Sequence, residues 1–187
     1  MTELKKERMC RVFIQLMFAV YFLALIRFTL FKYVPLDNLD NAFFLKERQI
    51  SMIPFKAAID IIKNMSPVRV VENFAGNVLL FMPFGLMFPL VTKFEGETTI
   101  YGLLLSLFIE AAQFAFGMGF TDIDDLILNT LGAFLGYQIY RIINRIFKER
   151  ASMLLVMSVV LGIGCTGAVF VLYYTGYLIN GFPNVTI

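Results

Sequence analysis

Thr121–Gly136, TDIDDLILNTLGAFLG, opens an apolar run long enough to span a bilayer and sets Asp122, Asp124 and Asp125 at its mouth. Asn129 follows further in. Charges and amides at such depth are costly in hydrocarbon, which makes them functional-site candidates by default. At helical period Asp122, Asp125 and Asn129 fall at i, i+3 and i+7, Gly132 and Gly136 continue the stripe, and Asp124 points elsewhere. The stripe predicts a helix that is polar at its entrance and packs closely through small residues further down.

The rest of the chain has the same character. It is 59% hydrophobic with a mean hydropathy of +0.76, well above a soluble domain. Its 187 residues accommodate about five spans of roughly 20 residues each. The apolar runs place them at about 12–32, 73–92, 98–117, 123–143 and 152–179. Helix is the local state in which such runs satisfy their own backbone. The expected fold is an all-α membrane bundle with no separate soluble domain. The first run is followed by KYVPLDN, without a small-residue cleavage signal, and reads as an uncleaved anchor. Histidine is absent, which excludes His-based triads and imidazole metal sites within the chain. Cys10 and Cys165 read as isolated small hydrophobes.

Lysine and arginine set the orientation. With the N-terminus inside, Lys5, Lys6, Arg8, Arg11, Lys93, Arg141, Arg145, Lys148 and Arg150 lie on the inner side in short segments. The outer basic residues all fall in or beside one long loop, about 33–72. The expected topology is therefore N-terminus in, C-terminus out. Within that loop Phe55, Ala58, Ile59, Ile62 and Met65 recur at helical spacing, which predicts a short amphipathic helix on the outer surface. Pro54 precedes it and Ser66-Pro67 ends it.

This topology gathers the polar groups of the spans. Arg27 lies in the outer half of the first span, Asn73 and Asn77 near the outer end of the second, and Glu110 and Gln113 in the outer half of the third. Asp122, Asp125 and Asn129 enter from the same side on the fourth. Together they predict an outer-leaflet polar cavity. Arg27 would hold an acidic group, and the acids would accept donors or a cation. Pro83 and Gly85 are expected to interrupt the second helix near the cavity floor.

IPF at Ile53–Phe55, NFAGNVLLFMPFG at Asn73–Gly85, IEAAQF at Ile109–Phe114 and TDIDDLILNTLGAFLG, in this order and spacing, resemble the VanZ-like family of bacterial membrane proteins. The resemblance covers about 12–146, and the run 152–179 is an additional helix outside it. What it implies is an accessory role in glycopeptide resistance of the teicoplanin type. The Thr in GFTDIDDLILNT, where many relatives carry Arg, resembles the teicoplanin-resistance branch.

Three functions fit the residues. The first is non-enzymatic protection, in which the cavity engages a lipid-tailed antibiotic, a membrane lipid or a lipid-linked cell-wall amphiphile. The second is an intramembrane enzyme acting on a lipid carrier, with carboxylates on a divalent cation. The third is a small lipid transporter or flippase. No cofactor beyond such a cation and no nucleic-acid partner is expected, and a homo-oligomer is compatible with the glycine faces.

Overall fold

The computed structural model describes residues 3–30, 50–51, 67–117, 121–147, 154, 156 and 157, with the side chains of 3, 50, 51, 67–73 and 121 outside that description. Four helices long and apolar enough to cross a membrane make up nearly all of it. They are α1 (Glu3–Leu30), α2 (Pro67–Val91), α3 (Thr98–Phe116) and α4 (Ile123–Ile146). Two dipeptides, β1 (Ile50–Ser51) and β2 (Thr121–Asp122), pair in parallel. The protein is an all-α membrane bundle. Among the described residues the helix count is four, not about five. The expected fifth span, 152–179, lies almost wholly outside them, as does the surface helix expected around 55–65.

Helix bounds depart from the hydropathy limits where polar residues also favour helix. α1 begins at Glu3, well before the apolar run, and Glu7 and Arg11 pair across one turn at 2.9 Å. α2 begins at Pro67. Proline suits the first helical position, where its missing N–H would be unsatisfied anyway. Pro67 therefore opens α2.

α2 also runs unbroken through Pro83 and Pro89, contrary to the expected interruption. A proline removes a hydrogen bond and crowds the preceding turn, leaving carbonyls there exposed. In a bundle, neighbouring helices can supply replacement donors. The carbonyl that Pro83 leaves without its N–H is that of Leu79; Tyr21 of α1 donates its hydroxyl to the next carbonyl, Leu80, at 2.8 Å and ties α1 to this turn.

The helices alternate in direction. Phe18 and Tyr21 of α1 meet Phe84 and Leu80 of α2, so α1 and α2 are antiparallel. Phe88 of α2 stacks near Tyr101 of α3 with ring centroids 5.0 Å apart. α2 and α4 run parallel and share the most extensive contact in the bundle. Glycine makes that contact possible. A methyl group at Gly132 or Gly136 would collide with the Val78 or Met82 carbonyl of α2, and one at Gly85 with the Ala133 carbonyl of α4. Gly85 is thus a packing residue. Small residues let backbones approach where lipid offers no hydrophobic drive for association. Ile14, Leu25, Phe81, Phe84, Met87, Ala133 and Tyr140 fill the centre.

This alternation sorts the polar residues by end. One end carries Lys5, Lys6, Arg8 and Arg11 of α1, Lys93 after α2, and Arg141 and Arg145 of α4. The other carries the C-termini of α1 and α3, the start of α4, and the β1–β2 pair.

Candidate functional site

At the second end, the TDIDD segment turns from extended chain into helix. Asp122 is extended (φ −126°, ψ 125°) and caps α4 by accepting the Asp124 N–H at 3.0 Å. Asp and Asn are favoured there because a helix N-terminus exposes unsatisfied donors and positive dipole charge. The Asp122 N–H is itself donated to Glu110 Oε2 of α3 at 3.1 Å. The N-cap is therefore held between its own helix and a buried acid on the neighbouring one. Beside it, Ile50 pairs with Thr121 and Ser51 with Asp122, so the long loop returns to the site through β1.

Deeper in, three of the predicted amides find partners on other helices. Asn77 of α2 donates to Asp125 Oδ1 of α4. Asn129 of α4 donates through Nδ2 to Ser106 Oγ of α3 at 3.0 Å. Gln113 of α3 donates through Nε2 to the Thr29 carbonyl of α1 at 3.0 Å. Arg27 lies half-buried in the last turn of α1, two residues before Thr29. These contacts join all four helices in one polar layer. Asn73 lies in α2 one turn before Asn77, but its side chain is outside the described residues.

Burial grades the layer. Glu110, Gln113 and Asn129 are 6%, 5% and 3% exposed, while Asp122 and Asp125 are half-buried. Asp124, expected to face away, is 4% exposed and more enclosed than either of them. Burial in the first turn of α4 therefore does not follow the helical stripe. Two oxygens, Gln113 Oε1 and Asn129 Oδ1, are buried without a hydrogen-bond partner among the described residues. Leaving a buried acceptor unsatisfied costs about 1–3 kcal/mol. Among the described residues no three Asp, Glu or Cys side chains gather into a group able to hold a metal ion.

The predicted residues thus divide between two seams. Glu110, Gln113, Asp122, Asp125, Asn129 and Asn77 belong to the polar layer. Gly85, Gly132 and Gly136 belong to the α2–α4 contact below it, and Pro83 lies in α2 alongside that contact. The partners Ser106, Thr29 and Tyr21 were not foreseen. Single hydroxyls in apolar helices carry no signal beyond period, although Ser106 stands at i−4 from Glu110 on the same face of α3.

Sequence comparison supplies an independent line. The family model VanZ/LLP1 matches residues 18–144. Protein VanZ of Enterococcus faecium is 33% identical over 134 residues, covering 71% of this chain and 76% of that protein. No solved structure matches the chain.

Proposed function

Since the chain belongs to the VanZ/LLP1 family, we propose that it is an accessory membrane protein of glycopeptide resistance, protecting the cell surface against teicoplanin-type drugs. We place the polar end on the outside, with the N-terminus in the cytoplasm. The basic residues clustered at the opposite end support this, since short positively charged segments stay inside. A lipid-tailed glycopeptide acts at the outer surface, so the polar layer would meet either the drug or the envelope amphiphile that it shares the leaflet with.

One observation carries the reading. Four helices each contribute a polar group to a single layer, and its acids and amides are held in defined positions by hydrogen bonds between elements. Fixed positions matter because recognition depends on groups arranged before the ligand arrives. Half-buried Asp122, Asp125 and Arg27 would form the accessible edge, and Glu110, Gln113 and Asn129 the inner wall. Binding at this layer accounts for protection without any reaction.

Teicoplanin susceptibility tests the proposal in cells that depend on this protein. Arg27→Ala, Asp125→Ala and Asn129→Ala are compared with wild type at matched membrane abundance. The expected result is loss of protection in all three. Full protection in all three would remove the layer from the function.

A further inference from the structure

α2 has neighbours on three sides. Tyr21 and Phe18 of α1 meet Leu80 and Phe84. Tyr101 of α3 meets Phe88. The α4 backbone at Gly132, Ala133 and Gly136 lies against Val78, Gly85 and Met82. At helical period Leu79, Pro83 and Leu90 form a fourth stripe, i, i+4 and i+11, turned away from all three neighbours.

The two ends of this stripe differ. Leu79, toward the polar end, is 61% exposed, and a methyl group added at Gly76, one turn before it, would meet nothing within 4 Å. Leu90, at the basic end, is 4% exposed. The chain returns to the bundle at that end. α4 finishes at Ile146, and eight residues later Leu154 begins a buried pair with Met157. Each is 1% exposed, in the same apolar cluster as Leu90, Cys10, Ile14 and Tyr140, with Ile143 and Phe147 packed alongside. Residues 154, 156 and 157 are helical, and Val156 is 40% exposed. The pair at i, i+3 therefore fixes which face of this helix meets the bundle.

Both partners extend beyond the contact. The apolar run continues to Ile179 without a charge. Carrying the period on from Leu154 and Met157 gives Leu161, Cys165 and Ala168. Leu79 stands eleven residues from Leu90, and Cys165 and Ala168 stand eleven from Leu154 and Met157, so equal helical rise brings the far ends level. Small side chains at Cys165 and Ala168 suit close approach between membrane helices. The family match ends at residue 144, so this contact lies beyond the shared region.

We propose that the C-terminal run, 152–179, docks on the Leu79–Pro83–Leu90 stripe of α2, antiparallel to it, through Leu154, Met157, Leu161, Cys165 and Ala168. It is a built-in fifth member of the bundle, and it carries the chain from the basic end back to the polar end.

Oxidative crosslinking of the full-length protein in native membranes tests this. Cys10→Ala removes the buried thiol of α1, and Leu79→Cys is set against the native Cys165. Leu79 is exposed, so its replacement leaves the described packing intact. A disulfide needs Cα atoms about 4.4–6.8 Å apart. Copper-catalysed oxidation should therefore remove both thiols from monomeric protein, and a reductant should restore them. Gly102 of α3 and Gly85 of α2 both meet Ala133, so Phe108 and Leu79, each six residues toward the polar end, lie at similar depth. Phe108→Cys, 66% exposed on α3, should keep both thiols. Cys165→Ala with Leu161→Cys or Ala168→Cys moves the probe one turn either way and covers a shift in register. Disulfide-linked dimers of the Leu79→Cys protein would seat a second copy on the stripe, and free thiols in all three pairs would leave it to lipid. Either result overturns the proposal, as would equal pairing by Phe108→Cys. The proposed function stands whichever result is obtained.

Discussion

Two seams meet on α4 and follow opposite rules. Toward α2, its lower part presents Gly132 and Gly136 with no side chain at all, and backbone lies against backbone. At its entrance, Asp122, Asp125 and Asn129 reach α3 and α2 through hydrogen bonds. The first seam tolerates no added atom. Among the described residues the second holds polar atoms without a partner, Asn129 Oδ1 and Gln113 Oε1. A bundle needing only cohesion could use the glycine seam throughout. The proposed function divides the two accordingly, with stability at one seam and recognition at the other.

Substitutions can break this division, and the largest effect is expected at the glycine seam. Gly136→Leu would drive a side chain into the Met82 carbonyl, a backbone atom that cannot turn aside. Overpacking costs about 1–3 kcal/mol and occasionally more, so monodisperse protein recovered on size exclusion should fall sharply. Wild-type recovery would show that the seam is not the structural one.

Next comes the Asn77–Asp125 bond. Hydrogen bonds to charged groups contribute about 1.5–3 kcal/mol. Asp125→Ala should therefore lower Tm by less than Gly136→Leu does, while removing teicoplanin protection. Protection that fell only in proportion to protein abundance would return this residue to a structural role.

A smaller effect is expected at Ser106. Interhelical bonds of this kind average about 0.6 kcal/mol in membranes. A double-mutant cycle of Ser106→Ala and Asn129→Leu should give a coupling of about that size, with nearly normal yield. Additive losses would mean that the bond contributes nothing.

The smallest belongs to neither seam. Glu7 and Arg11 pair on an exposed turn of α1. Such i, i+4 pairs contribute about 0.2–0.5 kcal/mol, so Arg11→Ala should leave Tm and protection unchanged. A large change would mean that the end of α1 does more than anchor the helix.

The sequence showed the polar seam better than the glycine seam's exact partners. Period alone grouped Asp122, Asp125 and Asn129, because a membrane helix that is otherwise apolar makes each polar position conspicuous. It also aligned Gly132 and Gly136, but gave no sign that Gly85 packs against α4. Pro83 looked like a break because it lacks the N–H that continues a helix, yet α2 runs on through it. Asp124 seemed to face away because the stripe ignores what surrounds the first turn. Ser106 and Thr29 stayed silent, as a lone hydroxyl and a backbone carbonyl acquire meaning only when a neighbouring helix brings them an amide. The loop's return at Ile50–Ser51 was equally hidden, being a pairing of two short segments far apart in sequence.

The central claim is that the polar end faces outward, where the drug acts. Single cysteines at Phe116, exposed at the end of α3, and at Gly96, where nothing lies within 4 Å of an added Cβ, report on the two ends. They are introduced as Phe116→Cys and Gly96→Cys with Cys10→Ala and Cys165→Ala, and intact cells are treated with a membrane-impermeant maleimide. The account predicts labelling of Phe116→Cys in intact cells and of Gly96→Cys only after permeabilisation. The reverse pattern would put the polar layer on the cytoplasmic side and contradict it.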